Sequence, residues 1–303
     1  MNLINNLLYD MVYHSVPLIL AVLGGLFAYR ANVLNIGLEG LMLMGAFSSA
    51  FSIYIFENYF IGVIIGIFFT LAMGFIFALF SITLKSNFII TGFGLNILSA
   101  SICTFLLKYN KLANINITHI VNVNQLKINI PIIKNIPILS SVVSGHTPIT
   151  YLSFILIYLT SVILYKTQFG IYIRVIGEDE EAAKSVGIKS NQLKYASILI
   201  GALFCALAGI NLATERMALF TDNMIAGRGF IAIAAIYCGK ADPFKSSAYA
   251  MMFGLAKSLA INLALYAGPI SGLFEMIPYL MIVLVLSIVS VSECKKTRLR
   301  GFY

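Results

Sequence analysis

The segment RVIGEDEEAAKSVGIKSNQLK, residues 174–194, is a hydrophilic stretch between two long apolar runs. Four acidic residues at 178–181 stand at one end of it, where carboxylates suit the positive end of a helix dipole. Gly187 stands at the other end, as expected for a C-terminal cap in the left-handed conformation. The pattern predicts a helix of about two turns over 179–186, which needs a partner or neighbouring helices to be stable. The alternative interpretation is an ordinary solvated loop.

The composition outside this segment is typical of a membrane protein. Hydrophobic residues make up 60% of the 303 residues, charged residues 11%, and the mean hydropathy is +0.93. A soluble domain carries roughly 25% charged residues. The predicted fold class is therefore all-α, a polytopic membrane helical bundle. The net charge of +8 is explained by basic cytoplasmic loops and not by binding to nucleic acid.

The apolar runs predict about 8–10 transmembrane helices, some of them broken or re-entrant. The segments lie near 14–29, 35–56, 60–83, 88–107, 149–166, 193–213, 224–238, 246–264 and 271–291. Under strict alternation, most basic residues next to these segments share one side with the C-terminal tail. The positive-inside rule places that side in the cytoplasm. The N-terminus and the acidic residues Asp10, Glu57, Glu215, Asp222 and Glu275 then lie outside, although one missed span would reverse the N-terminus.

Residues 108–148 form the one long predicted external loop. The segment is rich in Asn, Ile and Pro, and its prolines discourage a long helix. It is either a docking surface for an external partner or a passive connector.

A carboxylate inside the second apolar segment, NVLNIGLEGLMLMGAF (32–47), is the first candidate functional residue. Glu39 lies between Gly37 and Gly40, several residues into the segment. A charge at such depth costs several kcal/mol unless it is paired, protonated or exposed to water. Glu39 is therefore either a pathway residue or a structural tie to a neighbouring helix.

The later apolar segments carry further polar residues. Arg228, between two glycines, could pair with Glu39 or extend to the outer interface. Lys257 lies in the middle of a predicted span, and Asn96 and Asn262 add neutral hydrogen-bonding groups. These five positions are candidates for a polar route through the bundle, although asparagines in membranes are often interhelical ties.

Sequence motifs for catalysis and for metal binding are missing from the chain. It has no GxxxxGK[ST], HExxH or GxSxG motif, and its four cysteines form no CxxC pair. We therefore expect no enzymatic activity, no metal site and no cofactor. Any source of energy must belong to a partner.

Four blocks of the chain resemble the permease subunits of bacterial ABC importers in the branched-chain amino acid, ribose and nucleoside group. The blocks are NVLNIGLEGLMLMGAF (32–47), GLNILSASICTFLL (94–107), RVIGEDEEAAKSVGIKSNQLKYASILIGALFCALAGI (174–210) and GRGFIAIAAIYCGKADPFKSSAYAMMFGLAKSL (227–259). The last block is most similar to the nucleoside-type permeases. The resemblance covers nearly the whole chain, so residues 1–303 are expected to form one transmembrane permease domain.

The predicted short helix also resembles the EAA---G motif of importer permeases. Glu181, Ala182, Ala183 and Gly187 reproduce its spacing, although the proline usual downstream of it is absent. The resemblance implies that residues 167–192 form a cytoplasmic coupling loop and that these four residues contact an ATPase.

The resemblance further implies the partners and location of the chain. They are a separate cytoplasmic ABC ATPase, a second, related permease in a heterodimer, and an extracytoplasmic substrate-binding lipoprotein. The protein would lie in the bacterial cytoplasmic membrane, in contact with lipid.

The expected function is a path for nucleosides through the membrane. Hydrogen bonds to the ribose and base, and an aromatic surface for the base, could come from Glu39, Asn96, Arg228 and Phe230, with Lys257 also along the path. Alternatives are a permease for a simple sugar such as ribose or galactose, and a secondary transporter in which Glu39 and Lys257 relay protons. A membrane receptor or scaffold is a third alternative, which no signalling motif supports.

Overall fold

The chain is built almost wholly from helices, and the computed structural model describes residues 2–128, 144–266 and 271–300. The first half contains α1 Asn2–Arg30, α2 Leu38–Phe56, α3 Tyr59–Ala78, α4 Phe88–Tyr109, the strand β1 Asn114–Asn116 and α5 Val123–Leu126. The second half contains α6 Pro148–Lys166, α7 Gln168–Glu178, α8 Glu180–Ser185, α9 Ser190–Ile210, the strand β2 Leu219–Thr221, α10 Arg228–Cys238, α11 Pro243–Tyr266, α12 Ser271–Phe274 and α13 Ile277–Arg300. The predicted polytopic helical bundle is confirmed.

Seven helical segments in the described part of the chain are long and apolar enough to cross a membrane. They are α1, α2, α3, α4, α6, α9 and α13. The two other predicted segments are helical as well. α10 has only 11 residues, as expected for a broken helix, whereas α11 has 24 residues and includes Lys245 and Lys257.

The centre of the bundle is formed by α1, α2 and α9, whose side chains are mostly buried. α1 packs against α9 and α11, and α2 packs against α3 and α9. At the crossing of α1 and α9, a Cβ atom added to Gly24 would lie 2.6 Å from the carbonyl oxygen of Gly201. Small residues at such crossings allow close backbone approach, which drives helix association where lipid is as apolar as the helices.

Outward-facing helices surround this centre. α3, α4, α6 and α13 carry many exposed apolar side chains, such as Phe60, Ile64, Ile97 and Ile288. This is the distribution expected of surfaces in contact with lipid or with a second subunit.

A small antiparallel sheet connects the two halves of the chain. Asn114 pairs with Thr221, Ile115 with Phe220, and Asn116 with Leu219. The pairing fixes the beginning of the predicted external loop against the segment that precedes α10. The part of that loop at 129–143 lies outside the described residues.

Candidate translocation and coupling sites

Two helices begin inside the bundle after non-helical segments. α2 begins at Leu38 after the turn and extended residues 31–37, and α10 begins at Arg228 after β2 and a turn. An 11-residue helix is about 16 Å long, roughly half the 30 Å hydrocarbon core of a bilayer. α10 therefore crosses only about half a membrane. Discontinuous helices of this kind form the substrate sites of many transporters, because their ends present unpaired backbone groups.

The Glu39 carboxylate lies at the beginning of α10. One oxygen accepts a 2.7 Å hydrogen bond from the Gly227 amide, and the other accepts a 2.6 Å bond from the Gly229 amide. A carboxylate is stabilised at this position by the unpaired N–H groups and the positive end of the helix dipole. Glu39 therefore joins the first turn of α2 to the first turn of α10 and is directed into the bundle.

Glycine is required on the α10 side of this junction. Gly227 has a φ of +79°, a conformation that other residues rarely adopt. A Cβ atom on Gly229 would overlap the backbone of Glu39. The glycines that flank Arg228 in the sequence thus allow the carboxylate to reach the amides.

Asn96 of α4 binds the beginning of α2. Its Oδ1 accepts a 2.8 Å bond from the Gly40 amide, and its Nδ2 donates a 3.1 Å bond to the Ile36 carbonyl. Both ends of the amide are therefore bound to backbone. In this conformation Asn96 acts as an interhelical tie.

Arg228 makes no ion pair with Glu39. Its Nη1 donates to the carbonyl oxygens of Met224 (2.7 Å) and Ile225 (2.8 Å), in the turn that precedes α10. The direct ion pair with Glu39, one of the two predicted positions of this side chain, is therefore absent. The Glu39 carboxylate binds the main-chain amides of Gly227 and Gly229, the residues on either side of Arg228.

Arg228 and Lys257 line one cavity of about 40 Å³. Its wall also includes His14 of α1 and Tyr279 of α13, together with apolar side chains. The described lining contains three nitrogen-bearing side chains, one phenol and no carboxylate. The cavity therefore offers mainly hydrogen-bond donors. Sequence reasoning missed His14 and Tyr279, which lie in distant and otherwise apolar helices.

Phe230 lies outside this cavity, on the outward face of α10. Its side chain is 41% exposed, and its ring centroid lies 6.1 Å from that of Phe93 on α4. The two rings form an aromatic surface beside the junction of α2 and α10.

A second buried polar cluster lies where α9 ends in a π-helical turn, Asn211–Arg216. Glu215, predicted to lie in an external loop, is buried and accepts hydrogen bonds from Tyr59 (3.3 Å) and Asn211 (2.9 Å). Arg216 stacks 3.4 Å above the Tyr13 ring. π-Helical turns are frequent at functional sites. In the sequence, the charged residues Glu215 and Arg216 just after the apolar run 193–213 were the available indication of this cluster.

The predicted short helix is present as α8. The Asp179 carboxylate caps it by accepting bonds from the Glu181 amide (2.9 Å) and the Ala182 amide (3.0 Å). Gly187 has a φ of +84°, and its amide donates to the Lys184 carbonyl at 3.0 Å. The prediction of a helix with a left-handed glycine cap is confirmed, with boundaries one residue inside those expected.

An ion pair ties α8 to α9. Glu180 forms ion pairs with Lys184 at 2.8 Å and with Lys194 of α9 at 2.5 Å. Hydrogen bonds from these two lysines hold the pKa of the Glu180 carboxyl below its usual value. Ala183 is buried against the bundle, whereas Glu181, Ala182 and Gly187 are exposed. Glu181, Ala182 and Gly187 thus form an exposed surface at α8, and the ion pair of Glu180 with Lys194 attaches α8 to the candidate membrane span α9.

Comparison with known proteins gives relatives over nearly the full length of the chain. It is 30% identical to the nucleoside ABC transporter permease protein NupC of Lactococcus lactis, over 95% of this chain and 94% of the relative. It is 34% identical to the guanosine ABC transporter permease protein NupQ of Bacillus subtilis, over 88% and 83% of the two chains. A Haloferax volcanii protein, provisionally named a glucose ABC transporter permease protein, is 30% identical over 83% and 75%.

The fold has a solved counterpart, and a family model covers most of the chain. A structure described as an inward-facing metal-chelate type ABC transporter aligns with a TM-score of 0.50, at 17% identity, over 92% of this chain and 84% of the other. The family model described as branched-chain amino acid transport system / permease component matches residues 7–286. The chain therefore belongs to this permease family and is a multi-pass membrane subunit of an ABC transporter.

Proposed function

We propose that this chain forms part of a nucleoside path through the bacterial cytoplasmic membrane and moves in response to a separate ATPase. The observation that carries the substrate assignment is the full-length similarity to the nucleoside and guanosine permease proteins. The path and the coupling surface are proposed from the geometry of the described residues, and the partners are proposed from the family.

The path runs beside the junction of α2 and α10. Phe230 and Phe93 offer their faces to the base on the outward face of α10, while Arg228 and Lys257 supply hydrogen-bond donors at a separate place on the path, on the other side of that helix. Glu39 and Asn96 act on the path indirectly, because their polar atoms are bound to backbone at the two helix beginnings. They are positioning residues for the interrupted helices.

The coupling surface is α8 with its glycine cap. Glu181, Ala182 and Gly187 would contact a groove of the ABC ATPase, and Ala183 holds the helix against the bundle. Because Glu180 binds Lys194 of α9, movement of α8 by the ATPase would displace α9 as well. α9 packs against α1 and α2, so the displacement reaches the junction at Glu39.

The remaining parts of the transporter follow from the family. A second, related permease completes the path as a heterodimer, and an extracytoplasmic lipoprotein delivers the substrate. The basic loops favour a cytoplasmic position for α8 and the C-terminus. Exposed apolar side chains on α3, α4, α6 and α13 supply surface for lipid and for the second permease.

Uptake by intact cells tests the substrate. A strain lacking the gene, with and without a plasmid copy, is given radiolabelled guanosine, uridine or glucose. The proposal predicts that the plasmid restores nucleoside uptake, and that excess unlabelled nucleoside, but not glucose, abolishes it. Restoration of glucose uptake alone would overturn the assignment.

The second candidate function is sugar transport. It is favoured by the similarity to the Haloferax volcanii relative, whose provisional name assigns glucose to it. The hydrogen-bond donors of Arg228 and Lys257 match sugar hydroxyls as well as those of a ribose. The aromatic pair Phe93 and Phe230 distinguishes the two candidates, because replacing Phe230 with leucine should impair uptake of a base-bearing substrate more than uptake of a sugar.

A further inference from the structure

A cavity of about 660 Å³ lies between α8 and the turn that joins α3 to α4. Its polar lining includes Lys85, Ser86 and Asn87 from the turn, Glu180 and Lys184 from α8, and Lys194 from α9. It lies apart from the path at Glu39 and Arg228. Neither the family assignment nor the proposed nucleoside path gives it a role.

The charge of the lining is positive. Three lysines against one glutamate leave a formal charge of +2. Glu180 is already bound to Lys184 and Lys194. Lys85 makes no hydrogen bond or ion pair with any side chain in the described part of the protein, and it occupies a left-handed conformation with φ of +54°. The cavity therefore has an unpaired cation at the edge opposite α8.

An apolar surface continues outward from the same cavity. Ile89 lines the cavity and is 45% exposed, and Phe80, Leu84 and Ile90 on the same turn and adjoining helix ends are exposed too. This turn joins two predicted membrane spans, so it lies at the edge of the hydrocarbon core. A ligand that enters beside Ile89 can place an anionic group between the lysines while its hydrocarbon chains lie along α3 and α4.

We infer that this cavity binds the phosphodiester headgroup of an anionic phospholipid from the membrane leaflet on the α8 side. Basic pockets between transmembrane helices at the membrane boundary bind such headgroups. The phosphate would lie between Lys85 and Lys184 and would connect the α3–α4 turn to α8. A free phosphate anion shares the charge, but it makes no use of the adjoining apolar surface.

The bound lipid gives α8 a second attachment. Within the protein, α8 is tied to α9 through the pair of Glu180 and Lys194. A phosphate between Lys85 and Lys184 adds a tie to α3 and α4. Movement of α8 is then transmitted to α9 and to the pair of α3 and α4, so that anionic lipid strengthens coupling.

Lipid retention measured by native mass spectrometry tests the inference. The full-length chain, purified as the complex it forms in the membrane, is equilibrated with vesicles of equal parts phosphatidylglycerol and phosphatidylcholine and then delipidated in detergent. Each lysine removed should weaken phosphatidylglycerol retention about fivefold, so Lys85→Gln loses about fivefold and Lys85→Gln/Lys184→Gln about 25-fold. Phosphatidylcholine retention should not change.

The charge-matched control is Lys166→Gln/Lys189→Gln. Both lysines are exposed, Lys166 at the end of α6 and Lys189 just before α9, and neither lines the cavity. The control should retain phosphatidylglycerol as the parent does. Lys85→Gln removes no contact to another side chain within the described residues, so loss of fold does not account for its effect.

Three results would overturn the inference. The first is equal phosphatidylglycerol retention by the parent, the cavity variants and the control. The second is displacement of phosphatidylglycerol by millimolar inorganic phosphate, which would identify a free anion as the ligand. The third is weaker ATPase association in Lys85→Gln with unchanged lipid retention, which would assign the cavity to the ATPase.

Discussion

The replacement Glu39→Gln tests whether the carboxylate holds the two interrupted helices together. Glu39 accepts bonds from the Gly227 and Gly229 amides at 2.7 and 2.6 Å. Glutamine keeps one acceptor oxygen but places an NH₂ group against the other amide. The loss of charge assistance and the unpaired buried N–H together should cost about 2–4 kcal/mol of stability. At roughly 2 °C per kcal/mol for a chain of this size, the melting temperature in detergent falls by about 4–8 °C.

The matched control is Glu57→Gln, at the exposed end of the same helix α2. Surface substitutions away from special contacts usually change stability by less than about 0.5 kcal/mol, so the control should melt within about 1 °C of the parent. Thermal unfolding is monitored by the fluorescence of a thiol-reactive dye. Uptake is measured in parallel and normalised to the amount of protein in the membrane. Equal melting of Glu39→Gln and the parent would refute the reasoning.

Three further predictions concern α8 and the orientation. Gly187→Val should abolish transport and ATPase association while the protein stays in the membrane, because a branched side chain is strained at φ of +84°. Gly187→Asn should keep part of both activities, since asparagine tolerates this conformation better. Normal uptake by the valine variant would contradict this prediction. The pKa of Glu180 is lowered in the folded protein, so its tie to Lys194 is fully present above the ordinary value near 4.5 and is lost as the pH falls below it. The stability difference between the parent and Glu180→Gln, measured from pH 7 to pH 3.5, should therefore shrink on acidification, and a constant difference argues against the tie. Cysteines placed near Gly187, at the exposed Ser185 or Lys189, and near Lys296 of a cysteine-free chain should resist an impermeant thiol reagent in intact cells. Their labelling would reverse the proposed orientation.

Local signals in the sequence predicted the helices, including the short helix α8, well. Apolar runs longer than a membrane span have few alternatives, since the backbone in lipid must satisfy its own hydrogen bonds. The acidic residues, Asp179 and Gly187 define the ends of α8 through contacts within a few residues of the chain. Such short-range contacts are visible in a sequence without knowledge of the fold.

The partners of the buried polar residues were not predictable in the same way. Glu39 binds main-chain amides at positions 227 and 229, and a main-chain N–H carries no residue identity that would mark it as a partner. The glycines at those positions indicated close approach, but not to which helix. His14 and Tyr279 are 265 positions apart and share a cavity with Arg228 only after the bundle forms.

The strand pairing and the burial of Glu215 depended on contacts between distant segments. β1 and β2 have three residues each, too few for an alternating pattern to be read. Glu215 follows an apolar run and resembles a loop residue, yet Tyr59 and Asn211 satisfy its oxygens inside the protein. The sequence alone did not indicate these buried partners of Glu215.

Protection of a cysteine at position 230 is the most direct test of a nucleoside path beside the junction of α2 and α10. Phe230→Cys, on a cysteine-free chain in membranes with its partner subunits, is labelled with a small water-soluble thiol reagent, and Ile64→Cys on the outward face of α3 serves as the control. If the path lies here, the cysteine at position 230 reacts, and guanosine slows its labelling whereas glucose does not. Neither substrate changes the labelling of the cysteine at position 64. Failure of position 230 to react, or labelling unaffected by any nucleoside, would contradict it.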